Sequence, residues 1–314
     1  MPSNKDAGKA FEFALISEAH RILSSNFQTS LFSDATYLSA ESSFLLYPEN
    51  VQSRYIGAAR SAISHIQSLE PRLQEAASEN DILELRLMPD SAGQKGDVRD
   101  ILFVRSSQNW EIGISAKNNH KAVKHSRLSQ TKDFGSDWLG FPASKEYFQE
   151  IFEIFEKLKH YKRIKLAWSA VSNKPNEIYA PVLKAFREEL LKLNETHPNV
   201  PQNLASYLLG KQDFYKVIKK SKRVEILGFN IHGNLNKNSK NRSLNQMQRL
   251  KLPTEIIRFD FKPGKLNTLI LVCDEGWQIS FRIHSAETLV VPSLKFDTNL
   301  IGHPESLYSH HLTY

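Results

Sequence analysis

Two short apolar runs constrain this chain more than any other feature. The first, Gly96-Asp97-Val98-Arg99-Asp100-Ile101-Leu102-Phe103, carries acids into a strand, and the second, Glu111-Ile112-Gly113-Ile114-Ser115-Ala116-Lys117, begins eight residues later. The second alternates strictly, with Ile112, Ile114 and Ala116 on one face and Glu111, Gly113, Ser115 and Lys117 on the other. A period of two is the signature of a strand and does not fit a helix. An acid on one strand beside a lysine on its neighbour suits metal-dependent phosphodiester hydrolysis. The carboxylate holds a divalent cation, and the lysine orients the attacking water. The alternative is a hairpin with a solvated charged face.

The residues that follow weigh against that alternative. From Lys117 to Lys132 there are four lysines, one arginine, two histidines and no acid. Solvated helices usually mix both signs. An all-basic run beside an acid–lysine pair suits a phosphate backbone lying across the site. Ala122, Val123 and Leu128 form a sparse apolar stripe, from which a helix or helical turn is expected here.

With these residues in view the chain resembles the PD-(D/E)xK nucleases and, within them, the HaeIII-like type II restriction endonucleases. The resemblance rests on residues 96–103, on Ile114-Ser115-Ala116-Lys117-Asn118-Asn119-His120, and on Lys124-His125-Ser126-Arg127-Leu128-Ser129 with Asp133-Phe134-Gly135 after it. Gly276-Trp277-Gln278-Ile279-Ser280-Phe281-Arg282-Ile283-His284 and Pro292-Ser293-Leu294-Lys295-Phe296-Asp297 extend it towards the C-terminus. It implies an α/β fold: a nuclease core of a central mixed sheet flanked by helices, with a C-terminal β-rich DNA-recognition region. It also implies Mg2+-dependent cleavage of double-stranded DNA at GGCC, leaving 5′-phosphates, and a companion DNA methyltransferase acting on the same site. A palindromic site favours two-fold symmetry, hence a homodimer, although some small restriction enzymes act as monomers. One departure stands out. The superfamily carries Asp or Glu two residues before the lysine, and here that position is Ser115.

The expected metal ligands are Asp100, with Asp97 assisting or capping the turn. Lys117 positions the water. The acid that Ser115 does not supply is sought at Glu12, on the first helix, or at Asp133. Glu111 lies six residues from Lys117, roughly 20 Å along a strand, too far to share an ion. His120 and His125 suggest a histidine-base nuclease as a different chemistry, but no zinc-like spacing accompanies them. Two further readings are a structure-specific or repair nuclease and a non-cleaving DNA-binding protein with a degenerate core.

Phe11, Ala14, Leu15, Ala19 and Ile22 form one stripe, predicting a helix over residues 8–24. Residues 51–78 read as a second helical region broken at Pro71, and Ile82–Met88 as a strand. Pro89-Asp90 imitates the family's motif, but Asp90 is followed by Ser91-Ala92-Gly93, read as a loop. Lys145–His160 reads as a helix with Phe148, Ile151, Phe152, Phe155 and Leu158 on its core face, Ile164–Val171 as a strand, and Pro181–Leu193 as another helix. Helix–strand–strand–strand–helix–strand is the nuclease core order, so the core is expected over residues 1–172 and the DNA-recognition region over 173–314, with Ser172-Asn173-Lys174-Pro175-Asn176 as boundary. Glu255–Phe261, Thr268–Cys273, Trp277–Ile283 and Leu294–Leu300 read as strands.

Residues 211–250 hold ten Lys or Arg against two acids, Asp213 and Glu225, with Phe214, Tyr215 and Phe229 interleaved and an asparagine-rich stretch from Asn230 to Asn245. Candidate DNA contacts are therefore Asn118, Asn119, His120, Lys121, Lys124, His125 and Arg127 in the first basic zone. In the second they are Lys219, Lys220, Lys222, Arg223, Lys237, Lys240 and Arg242. The formal net charge of +7 favours an anionic partner. One cysteine, Cys273, excludes internal disulfides and any Cys-based zinc site. Without a long apolar stretch or a signal core, a soluble, cytoplasmic protein is expected.

Overall fold

The computed structural model describes residues 2–91, 97–119, 122–237, 247–285 and 287–314. Of the candidate DNA contacts, His120, Lys121, Lys240 and Arg242 lie outside these residues. The chain forms two compact units, and both are discontinuous in sequence: residues 1–121, 210–250 and 306–314 in one, 122–209 and 251–305 in the other. This differs from the expected division at residue 172.

The first unit holds helices α1 (Asn4–Leu23), α2 (Ala35–Leu45) and α3 (Glu49–Leu69). Its strands are β1 (Gln28–Leu31), β2 (Ile82–Leu87), β3 (Ile101–Arg105), β4 (Trp110–Asn118), β7 (Phe214–Lys219), β8 (Arg223–Phe229) and β13 (Tyr308–Thr313). They make one sheet in the order β1-β2-β3-β4-β7-β8-β13. The β1–β2 and β4–β7 pairs are parallel and the remaining pairs antiparallel, so the sheet is mixed.

Helix α1 starts at a capping box. Ser3 accepts from the Asp6 amide, and the Asp6 carboxylate accepts from the Ser3 amide. Phe11, Ala14, Leu15 and Ala19 are fully buried against Tyr55, Ala58 and Ile63 of α3 and against Ile112, Ile114 and Ala116 of β4. The strict alternation of β4 therefore directs one face into this core.

The second unit holds α4 (Lys145–Arg163), α5 (Ala180–Thr196) and α6 (Val200–Leu209). Its sheet is antiparallel, ordered β5-β12-β11-β10-β9, with β6 also on β12. The strands are β5 (Ala122–Lys124), β6 (Arg127–Leu128), β9 (Ile256–Phe261), β10 (Thr268–Cys273), β11 (Gln278–His284) and β12 (Leu294–Gly302). Phe186, Phe259, Phe281 and Phe296 meet in its core with ring centroids 5.3–6.0 Å apart. Cys273 is buried, and burial, then Asp274, pushes its thiol up to about 12.

Several expectations need correction. The basic run after Lys117 is not helical: Ala122 and Lys124 pair with Asn299 and Thr298, and Leu128 pairs with Leu294. Its stripe was too sparse to bury a helix face, whereas an edge of β12 stood open to it. Ile164–Val171 is not a strand. Lys165 takes a positive φ of 53°, Trp168–Ala170 forms a 3-10 turn, and a single bridge joins Ala167 to Leu289. The strand expected there is supplied by β7, in the other unit. On α4, Phe152 is 46% exposed and Tyr147 is buried in its place. Of the Ser91-Ala92-Gly93 loop expected after Asp90, Ser91 is helical and the other two residues lie outside the described residues. Phe214, Tyr215 and Phe229, which interleave with charges in sequence, are core residues of β7 and β8.

Candidate active site

Strands β3 and β4 pair so that Ile101 faces Ile114, which brings Asp100 beside Ser115. The Asp100 amide donates to the Ile114 carbonyl (2.8 Å), fixing the residue in line with the sheet. One oxygen of Asp100, Oδ2, then accepts from three donors: the Ala116 amide (2.7 Å), Lys117 Nζ (3.0 Å) and Ser115 Oγ (3.2 Å). The alternation of β4 thus puts Ser115 and Lys117 on one side chain row, both reaching a single carboxylate. Ser115, at the position where the resemblance expects an acid, acts as a donor to Asp100.

A second carboxylate faces this group. Glu12, on α1, is 9% exposed, and its carboxyl is pushed up to about 6. Burial is the larger cause and the charge of Asp100 the next, with Lys9 and Lys117 opposing both. A buried carboxylate raised by the charge of a second one nearby marks a place where a cation would be favoured. Lys9 Nζ bonds Glu12 Oε2 at 3.0 Å and Asp90 Oδ1 at 2.9 Å, so a lysine already bridges this side. Lys9 escaped the sequence reading, although its spacing three residues before Glu12 places both on one helix face.

Asp97 was expected to assist the metal or cap the turn, and its contacts are of the second kind. Its Oδ1 accepts from the Arg99 amide (3.0 Å) and Nε (2.9 Å), and its Oδ2 from Nη2 (2.8 Å). The Arg99 guanidinium also bonds Glu111 Oε1 at 2.6 Å. Arg99, 7% exposed, lies across Gly113, where a Cβ would fall 2.1 Å from its Cδ. The acid pair Asp97 and Glu111 therefore anchors an arginine directly before Asp100. Asp133, in the second unit, serves its own turn: its oxygens accept from the Ser136 amide (3.1 Å), Ser136 Oγ (2.8 Å) and the Ala143 amide (3.0 Å). Of the two acids sought to replace the one missing at Ser115, Glu12 is the one gathered with Asp100 and Lys117.

The candidate DNA contacts divide. At the end of β4, Asn118 donates to the Tyr55 hydroxyl (3.3 Å), and Asn119, with φ 56°, donates its amide to the Lys219 carbonyl (2.8 Å). Lys219 is buried, Lys220 is paired with Glu225, and Lys222, Arg223 and Lys237 are exposed. In the second unit Lys124 bonds the Tyr207 carbonyl (2.7 Å), His125 pairs with Asp297 (3.2 Å) and Arg127 with Glu287 (3.3 Å). A cavity of 360 Å³ at the opposite end of β4 is lined by Arg72, Arg99, Trp110, Glu111, Asp213 and Lys237 among others. Its lining includes none of Glu12, Asp100 and Lys117, so this cavity does not mark this chemistry.

Oxygen donors of this kind suit a hard divalent cation. Magnesium binds through one or two carboxylates and keeps several waters, which matches Glu12 and Asp100. Among the described residues no three His, Cys, Asp or Glu side chains cluster as a metal cage. No helix among them is long and apolar enough to cross a membrane.

Two comparisons with known proteins bear on this arrangement. The family model described as the HaeIII restriction endonuclease matches residues 8–304. The type II restriction enzyme HaeIII of Haemophilus aegyptius is 44% identical over 311 residues, covering 97% of each chain.

Proposed function

The chain belongs to the HaeIII restriction endonuclease family and is a type II restriction endonuclease, and on that premise we propose that it cleaves double-stranded DNA at GGCC with Mg2+, leaving 5′-phosphates. The convergence of Glu12, Asp100 and Lys117 at one end of β4 is the observation that carries the mechanism. The first unit's mixed sheet with its helices then acts as the PD-(D/E)xK core, and the β-rich second unit contributes to DNA recognition.

Glu12 and Asp100 would hold the magnesium ion, with a backbone carbonyl beside Lys117 adding oxygen. When bound, the ion supplies charge for the scissile phosphate and a more acidic water. Ser115 and the Ala116 amide hold Asp100 in place, since both donate to the same oxygen, Oδ2. Lys117, once released from Asp100, orients the nucleophile and offsets charge on the phosphate. Lys9 balances Glu12 until DNA is engaged. Asn118, Asn119, Lys219 and Lys222 lie in the first unit near the same end of the sheet, where β4 and the parallel β7 both finish, and are taken as DNA-facing. Asp97, Glu111 and Asp133 are assigned supporting roles. The enzyme would act in the cytoplasm beside a methyltransferase that protects the same sequence, as a homodimer on a two-fold site.

The test is digestion of a plasmid of known sequence in magnesium. Discrete fragments ending within GGCC are expected. Fragments ending elsewhere would refute the assigned sequence, and a smear or nicking would favour a structure-specific or repair nuclease. With EDTA, cutting should stop.

A further inference from the structure

We propose that Lys219 is a dedicated seat for a DNA phosphate next to the cleavage site, held open by two tyrosine rings and bonded to no carboxylate among the described residues. This rests on the reading of the chain as a DNA endonuclease.

Lys219 is the last residue of β7 and only 8% exposed. A buried ammonium normally has an anionic partner, because its desolvation is otherwise uncompensated. Among the described residues the Lys219 ammonium has neither a hydrogen bond nor an ion pair. Its neighbours are aromatic: Nζ lies 4.8 Å from the centroid of Tyr55 and 5.9 Å from that of Tyr314. A ring face attracts a cation but returns less than a carboxylate would. The charge that acts on it is a second cation, Arg54, whose guanidinium bonds the Ser221 carbonyl at 3.0 Å. Burial, and then Arg54, hold the Lys219 ammonium below its ordinary pKa.

The walls around it are pinned. The Tyr55 hydroxyl accepts from Asn118, and the Tyr314 hydroxyl donates to the Lys220 carbonyl. The adjacent lysine behaves differently, since Lys220 is paired with Glu225. The chain thus neutralises one lysine of the pair and leaves the other poised for an anion from outside.

Position identifies that anion. Lys219 is the register partner of Asn118, the residue after Lys117. With strands about 4.8 Å apart and a rise of about 3.3 Å, the backbones of Lys117 and Lys219 lie roughly 6 Å apart. Both strands end on the same side, beside Asp100 at the start of β3. A duplex presenting its scissile phosphate to Lys117 therefore brings a neighbouring phosphate to the mouth of this box.

The proposal separates affinity from stability. Lys219→Met keeps the length of the side chain and removes an unpaired buried charge, so its thermal midpoint should match or exceed wild type. Binding to a short duplex with one GGCC, measured with metal withheld, should weaken roughly tenfold at about 0.1 M salt, and the slope of log K against log salt should fall by about 0.9. Lys219→Arg should restore the slope. A scan of single neutral methylphosphonates along the same duplex needs no variant: one position should weaken wild type by a similar factor and leave Lys219→Met unaffected. Unchanged affinity and slope in Lys219→Met, or no coupled position in the scan, would overturn the assignment. So would inorganic phosphate raising the midpoint of wild type but not of Lys219→Met with no coupled position, which marks a free-anion site. Failure of wild type to bind or cut the duplex would refute the nuclease reading instead.

Discussion

Replacing Gly113 with alanine tests whether the anchored arginine beside Asp100 is what holds that carboxylate, the proposed metal ligand, in place. The backbone of Gly113 pairs with Leu102 in regular strand geometry and needs no left-handed conformation, so the substitution is felt only through the new methyl. That methyl would sit 2.1 Å from Arg99 Cδ, 2.5 Å from Cγ and 2.9 Å from Cβ. A conflict reaching back to Cβ is not relieved by bending the tip of the side chain. Either Arg99 leaves as a whole, or the segment before Asp100 shifts. Leaving breaks the bidentate contact to Asp97 and the ion pair to Glu111. Charged hydrogen bonds contribute about 1.5–3 kcal/mol where buried. The Glu111 side is 44% exposed and so contributes at most about 1 kcal/mol. Removing a strand glycine returns roughly 0.5–1 kcal/mol. The net cost is about 2 kcal/mol, a fall in thermal midpoint of roughly 4–8 °C for a domain of this size. Cleavage at limiting magnesium should fall further, since a displaced Asp100 weakens the metal site that chemistry depends on. The assay is a double-mutant cycle: unfolding and cleavage for Gly113→Ala, Arg99→Ala and the pair. If the methyl acts through Arg99, Gly113→Ala costs nothing more in the Arg99→Ala background. Wild-type stability in Gly113→Ala, or a penalty that persists undiminished without Arg99, refutes the reasoning.

Asp100→Ala and Lys117→Ala should each abolish cleavage of GGCC plasmid while circular dichroism shows the fold retained; near wild-type cutting by either variant would remove that residue from the mechanism. Glu12→Gln should lose activity yet gain stability. The Glu12 carboxyl is raised from 4.5 to about 6 in the folded protein, so its ionised form opposes folding by ~2 kcal/mol. That penalty is complete above about pH 6 and absent below about 4.5, so in EDTA the midpoint gain of Glu12→Gln should appear at pH 8 and vanish at pH 4; equal gains at both would show that charge is not its cause.

Much of the site was legible because its signals are local. The two-residue period of Ile112, Ile114 and Ala116 put Ser115 and Lys117 on the opposite row, and an acid at the mouth of the preceding strand could only meet them if the two strands paired. The stripe on α1 was equally legible, because burial of one helix face follows from spacing alone. What came only with the tertiary structure was everything that depends on which surfaces meet. Ile164–Val171 has strand composition but finds a single bridge, while β7, within the second basic zone, supplies the parallel neighbour of β4. Helix or strand in the basic run was decided by an open edge of β12, more than 160 residues away in sequence. The choice between Glu12 and Asp133 lay beyond any pattern along the chain: packing of α1 on β4 brings Glu12 towards Asp100, while Asp133 accepts from a turn of its own. Sequence fixes periods and charges, since these are properties of neighbours along the chain. Pairing and packing join residues far apart along it, and only the folded chain decides those.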